Sequence, residues 1–203
     1  MQFRVITRFI AILVFFLGIS MAGPLLVSFI YNDNSTRALL LSTVITSLIG
    51  IILFLCTKKL ADTPLNHRDG VFVVTLGWAI AGLFGTFPYL FSGTIPDFTN
   101  AYFESISGFT TTGASILTDI ENLPKGILLW RSQTQWLGGM GIIVLSIAIL
   151  PFLGIGGMQL YRAEIPSPVV DKLKPRISET AKTLWKVYLL ITFVEVLLLL
   201  AGG

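Results

Sequence analysis

This sequence predicts an all-α integral membrane protein: about five transmembrane helices plus one re-entrant segment in which a short helix enters the membrane and a loop leaves it. Three observations predict it. The chain contains five apolar runs of roughly the length a helix needs to cross a ~30 Å hydrocarbon core. Hydrophobic residues make up 54% of its 203 residues and charged residues only 12%, against about 25% charged in an ordinary soluble domain. A polar, glycine-flanked stretch, "SGFTTTGAS", lies between two of the apolar runs.

The runs are taken in order as residues 5–31, 38–57, 70–91, 127–150 and 184–203. They are about twice as long as barrel strands and do not alternate, which argues against a β-barrel. A helix satisfies its own backbone polar groups, as a lone span must. Arg4 and Arg8 followed by an apolar stretch ending in "ISMAG" resemble a secretory signal with a small-residue cleavage site. The apolar run continues through "PLLVSFIY", too long for such a signal, so the stretch is expected to stay as the first span. Gly23 and Pro24 are expected to kink it.

Orientation follows from the basic residues flanking the spans. With five crossings, Arg4, Arg8, Lys58, Lys59, Arg68, Arg162, Lys172, Lys174, Arg176 and Lys182 fall on one side. Arg37, Lys125 and Arg131 fall on the other, and Lys186 lies just inside the fifth span. The richer side is cytoplasmic, which puts the N-terminus inside and residues 92–126 outside. The expected divisions are 1–68, two N-terminal helices; 69–160, a span, re-entrant loop and span; 161–182, a basic cytoplasmic loop; and 183–203, a further helix.

Within the outward segment, "DFTNAYFESISGF" carries apolar residues at 98, 102, 103, 106 and 109. That is helical spacing over three turns, too short to span. Asp97 is the expected N-cap after Pro96, and Gly108 the expected stop. Irregular backbone at membrane depth is tolerated only where it is buried in protein or lines water. In Thr110, Thr111, Thr112 and Gly113 the residue types suit a cation path. Rings of carbonyls replace the hydration oxygens of a desolvated ion. Glycine admits the backbone angles that keep successive carbonyls facing one way. The preceding helix aims its negative end toward the ion. The competing reading is a structured outer loop with no ion, because a bare "TTTG" is weakly specific.

The other chemistry-bearing residues divide between functional and structural readings. Glu104, in the short helix, either bonds filter backbone amides or shapes the field at the pore mouth, or else is an exposed or snorkelling side chain near the outer interface. Asp119 and Glu121 either concentrate cations near the mouth or belong to a solvated loop. Glu195 is read as structural. "WLGGMGIIV" and "GIGGM" are read as close-packing segments; no GK[ST] follows to make a phosphate loop. Trp78, Trp130 and Trp136 suit interface belts or span packing. One histidine, His67, gives little support for a metal site or a catalytic triad, and one cysteine, Cys56, allows no intrachain disulfide. No paired nucleophile and base suggests an enzyme. No basic, aromatic-interleaved patch suggests nucleic acid.

Three stretches carry a family resemblance: "DGVFVVTLGWAIAGLFGTFPYLFSG", "AYFESISGFTTTGASILTDIENLPKGILLWRSQTQWLGGMGIIVLSIAILP" and "GIGGMQLYRAEIPSP". They resemble the TrkH-type potassium uptake proteins of the Trk/Ktr/HKT cation transporter superfamily, over residues 69–185. The resemblance implies a repeat made of a span, a pore helix, a filter strand and a second span, with four repeats around one pore and two extra helices in front. It places one selectivity-filter strand at Thr110, Thr111, Thr112 and Gly113, with the carbonyls of Thr111 and Thr112 as ion ligands and Gly113 as the selectivity glycine. The first two spans become the extra helices, the next two the first repeat, and the fifth the start of a second. Such proteins are about twice this length or more, so the expectation is an N-terminal portion supplying one of four filter strands. The implied cargo is K⁺, with no cofactor. The implied surroundings are the lipid bilayer of the inner (plasma) membrane, the remaining repeats, a homodimer, and a cytoplasmic TrkA-type nucleotide-binding regulatory subunit. The alternative is a membrane structural or assembly subunit that conducts nothing by itself.

Overall fold

Helix α1 (Phe3–Ser20) and helix α2 (Ala22–Tyr31) form one apolar stretch, Phe3–Tyr31, interrupted at Met21. The interruption lies one turn before the Gly23–Pro24 pair, for a physical reason. Proline has no N–H and its ring crowds the carbonyl four residues earlier; for Pro24 that carbonyl belongs to Ser20. The chain recovers helical bonding around the gap through Met21 N to Leu17 O (3.2 Å) and Leu25 N to Met21 O (3.1 Å). α2 ends at Asn32 in the left-handed conformation (φ 50, ψ 40), with Asn32 and Asp33 amides returning to Phe29 and Ser28 carbonyls. Asparagine is among the few residues that accept this conformation readily.

The structure, a computed structural model, describes residues 3–57, 67–153 and 173–202, with side chains described at all of these except 67, 142–153 and 173–180. After α2 come α3 (Thr36–Cys56), α4 (His67–Gly85), α5 (Phe87–Ser92), α6 (Phe98–Phe109), α7 (Lys125–Leu153) and α8 (Leu173–Gly202). Every regular element among the described residues is a helix. Four stretches are long and apolar enough to cross a membrane: Phe3–Tyr31, Thr36–Cys56, Arg68–Ser92 and Ala181–Gly202. The 29 residues of α7 cover the fourth expected run. α6, with 12 residues, is about 18 Å long and cannot cross. α8 begins at Leu173, well before its apolar run. The chain divides into two compact units, Met1–Gly139 and Met140–Gly203.

In the first unit α1 packs chiefly on α3 and α4, α3 also on α5, and α4 on α6. α1 presents Ile6, Ile10, Val14 and Leu17, and α3 presents Leu39, Ser42, Thr46 and Gly50. Both are stripes of three- and four-residue spacing, one face of a helix. The stripe on α3 is polar and small, while Leu40, Leu41, Val44, Leu48 and Ile52 are exposed. That inversion is expected where the solvent is hydrocarbon and close backbone approach drives helix packing. The core joining the helices includes Met21, Leu39, Ala81, Phe84, Tyr89, Ala101, Phe109, Ile127 and Trp130.

The turn between α2 and α3 is closed by the Asp33 carboxylate. Oδ1 accepts from the Ser28 hydroxyl, the Ser35 hydroxyl (2.6 Å) and the Ser35 amide (2.9 Å). Oδ2 accepts from the Gly126 amide (2.8 Å) in the first turn of α7. Partial burial alone would raise the pKa of this group. The bonds from Gly126, Ser28 and Ser35 outweigh it and hold the carboxyl below the ordinary 3.8. A carboxyl with a depressed folded pKa contributes stability that is fully present above its unfolded value and is lost as pH falls through the lower folded value. Asp33→Asn should therefore be less stable than the unsubstituted protein at neutral pH. The gap should close as pH drops below 3.8. Thermal unfolding in detergent across that range checks it, the difference between the two proteins isolating Asp33 from other carboxylates.

Candidate functional site

Asp97 opens α6 as the sequence predicts. Its backbone is extended (φ −81, ψ 128) and its carboxylate accepts from the Asn100 amide at 2.8 Å, satisfying one free amide of the first turn. α6 is held against α4 by side chains that reach α4 carbonyls: Ser105 Oγ donates to Gly82 O (2.8 Å) and Tyr102 Oη to Ala79 O (3.3 Å). The helix continues through Gly108, the expected stop, and ends at Phe109.

The way α6 ends sets the loop that follows. The Thr111 amide donates to Gly108 O and the Thr112 amide to Ser107 O, both at 3.0 Å. This pair of bonds is the Schellman arrangement, with Thr111 at the position usually held by glycine. Thr111 has φ 54. A β-branched residue in that region is an outlier, costing about 1–2 kcal/mol. Gly113 follows with φ 77, while Thr110 (φ −83) and Thr112 lie on the negative side. When every second residue has positive φ, successive amides turn to one side and successive carbonyls to the other. Here the amides of Thr111 and Thr112 face the end of α6. Among the described residues, none of the loop's hydrogen bonds falls on the carbonyls of residues 110–113.

The hydroxyls hold the loop rather than project freely. Thr110 Oγ1 donates to Ile106 O (2.8 Å) and lies 2.7 Å from Thr112 Oγ1. Ser107 Oγ donates to Ala114 O. Thr111, Thr112 and Gly113 are exposed and Thr110 is half-buried.

Glu104 supports this loop from behind. It is 2% exposed and pairs with Arg131 of α7, whose Nε donates to Oε1 at 2.9 Å. The same carboxylate accepts from Ser115 Oγ (3.0 and 3.1 Å) and from the Ile116 amide (3.1 Å). One carboxylate thus joins α6, the returning part of the loop at Ser115 and Ile116, and α7. Glu104 is therefore buried rather than exposed, and the one backbone amide it binds, that of Ile116, lies beyond residues 110–113. Arg131 is half-buried in this pair, although the sequence counts it only as an outward cation. α7 also passes close to the end of α6. A side chain at Gly138 would collide with the Phe109 carbonyl, so this position requires glycine. Trp130, fully buried, donates from Nε1 to Gly85 O (3.1 Å) at the break between α4 and α5.

Asp119 and Glu121 are exposed, and Asp119 Oδ2 accepts from Asn122 Nδ2 (2.7 Å). Glu195 is exposed on α8. Residues 161–172 of the expected basic loop, and "GIGGM", lie outside the described residues. No group of three or more His, Cys, Asp or Glu side chains able to hold a metal occurs among the described residues. Sequence reasoning missed Gln133 and Asp33, and the partners of Arg131 and Trp130, although Trp130 is packed inside as one of its two readings had it. Only Pro24 gave a usable signal, since a proline inside a span announces an unpartnered carbonyl four residues before it.

Residues 34–202 match the family described as TrkH, cation transport protein. The chain is 47% identical over 206 aligned residues to the Trk system potassium uptake protein TrkH of Escherichia coli (strain K12), covering all of this chain and 42% of that protein. It is 44% identical to the TrkH of Halomonas elongata, with the same coverage. The crystal structure of the potassium transporter TrkH from Vibrio parahaemolyticus superimposes with a TM-score of 0.83 at 38% identity, over all of this chain and 40% of that one. The chain therefore spans about two fifths of the length of the relatives it matches.

Removing one partner of a buried ion pair leaves the other uncompensated, at about 3–5 kcal/mol. Arg131→Met should lower stability by that order. Adding Glu104→Gln, which keeps an acceptor for the Ile116 amide, should recover more than half of the loss. A double-mutant cycle read by thermal unfolding checks the coupling.

Proposed function

The chain belongs to the TrkH cation transport protein family, and from that premise we propose that it is the N-terminal portion of a potassium uptake protein, supplying one of four filter strands. In this reading K⁺ passes inward through a path lined by carbonyls of Thr110, Thr111, Thr112 and Gly113, with no cofactor. The observation that carries it is the alternation of φ through this loop, with the amides of Thr110, Thr111 and Thr112 spent on the end of α6. A desolvated monovalent cation needs several oxygens at once, and an unpaired ion in a low-dielectric medium costs tens of kcal/mol. One loop offers about a quarter of such a shell. These residues alone then do not conduct selectively; three further loops complete the site.

Glu104 holds the returning strand and so fixes the spacing of the carbonyls, while Asp119 adds negative charge near the outer mouth. The N-terminus lies in the cytoplasm and the protein in the inner membrane. A TrkA-type nucleotide-binding subunit on the cytoplasmic side and a second copy of the protein are the proposed partners.

Gly113→Val, made in a full-length transporter carrying this sequence as its N-terminal portion, forces a β-branched residue to φ 77. K⁺ over Na⁺ discrimination should fall by about tenfold or more, measured as competition against radioactive rubidium uptake in vesicles. An unchanged ratio would overturn the filter reading.

A further inference from the structure

Four groups along two turns of α7 bind helix ends or loops elsewhere in the first unit. The Gly126 amide goes to Asp33, Trp130 Nε1 to Gly85 O, Arg131 Nε to Glu104, and Gln133 Nε2 to Ser20 O at 2.8 Å. The last bond has a specific cause. Ser20 O is the carbonyl that an amide at position 24 would have taken, and residue 24 is proline. A carbonyl left bare inside a span is costly, and the Gln133 amide fills the vacancy from another helix. Gly126 and Gln133 are seven residues apart, two turns, and so share a face of α7. Arg131 precedes Gln133 by two residues, which puts it roughly 200° round the helix. One face of α7 is therefore fastened to the N-terminal pair α1–α2 and its turn into α3. The other carries the ion pair that holds Ser115 and Ile116.

We infer that Asp33 and Gln133 are positioning residues for the cation path: the N-terminal helices, which contribute no filter strand, set the depth and rotation of α7 and thereby of the Arg131–Glu104 pair. This rests on the filter reading above. Gly126 fits the assignment. A side chain there would press on Leu39, Ser28 and Ser35 (2.6 to 2.8 Å), so the outer end of α7 sits directly against the turn that Asp33 closes.

The experiment uses a full-length transporter carrying this sequence and reads the K⁺/Na⁺ ratio of rubidium competition at matched protein level. Gln133→Leu should lower the ratio by about threefold to tenfold, the range of modest coupling energies, and Asp33→Asn should lower it in the same direction. Pro24→Ala restores an amide to Ser20 O, so Pro24→Ala with Gln133→Leu should regain most of the loss. A purely structural role for Gln133 would not move the ratio at matched protein level. Ratios unchanged in both single variants, or a loss that Pro24→Ala leaves untouched, overturn the inference while the filter reading stands. A wild-type protein that does not discriminate K⁺ from Na⁺ removes the filter reading and this inference together. If Gln133→Leu fails to accumulate, the double variant decides: recovered accumulation and ratio support the assignment, and continued failure overturns it.

Discussion

A backbone polar group left bare in hydrocarbon costs several kcal/mol, and the first unit is organised around that fact. Its helices are interrupted in two places within apolar stretches, at Met21 and at Thr86. At each the carbonyl just before the break, Ser20 O and Gly85 O, receives a side-chain N–H from α7. The same rule governs the end of α6. Helix carbonyls that would otherwise lack partners take the amides of Thr111 and Thr112. The amides of Thr110, Thr111 and Thr112 are used up in this way, while among the described residues no hydrogen bond of the loop falls on the carbonyls of residues 110–113. The backbone of the loop proposed to bind the cation follows from how α6 finishes.

Charge is used sparingly in this unit and where geometry matters. Burying an ion pair costs several kcal/mol per ion before its attraction is counted, so the Glu104–Arg131 pair contributes little net stability. Its effect is directional. A carboxylate that accepts from a guanidinium, a hydroxyl and an amide restricts where Ile116 can lie relative to α7. An apolar replacement of similar volume would pack as well and position nothing. The strained backbone at Thr111 fits the same pattern: local cost retained at the segment proposed to bind the ion.

The long apolar helices and the short capped helix were legible because their signals are local. Twenty apolar residues announce a span, and Asp97 before an amphipathic three-turn pattern announces a capped short helix. "TTTG" announced an unusual backbone, though not that Thr111 would share the positive φ expected only of Gly113. The contacts that hold the site were illegible. Arg131 reaches Glu104 across 27 residues, Trp130 reaches Gly85 across 45, Gly126 reaches Asp33 across 93 and Gln133 reaches Ser20 across 113. No periodicity or cap rule extends that far. The side chains among them are also ordinary in their own neighbourhoods: an arginine near a span end reads as an interface residue, and a lone glutamine reads as nothing. A kink was expected at the Gly23–Pro24 pair, and the interruption of the helix falls at Met21, just before it, because proline disturbs the carbonyl four residues earlier.

The break at Met21 has a bearing on membrane thickness. Phe3–Tyr31 holds 29 residues, about 43 Å of continuous helix, whereas the hydrocarbon layer is ~30 Å. A straight rod of that length would have to lean by about 45°, well beyond the ~20° common for such helices. Divided into pieces of 18 and 10 residues, the stretch can change direction midway. It can then fit a bilayer too thin for its length without dragging α3 to the same slant.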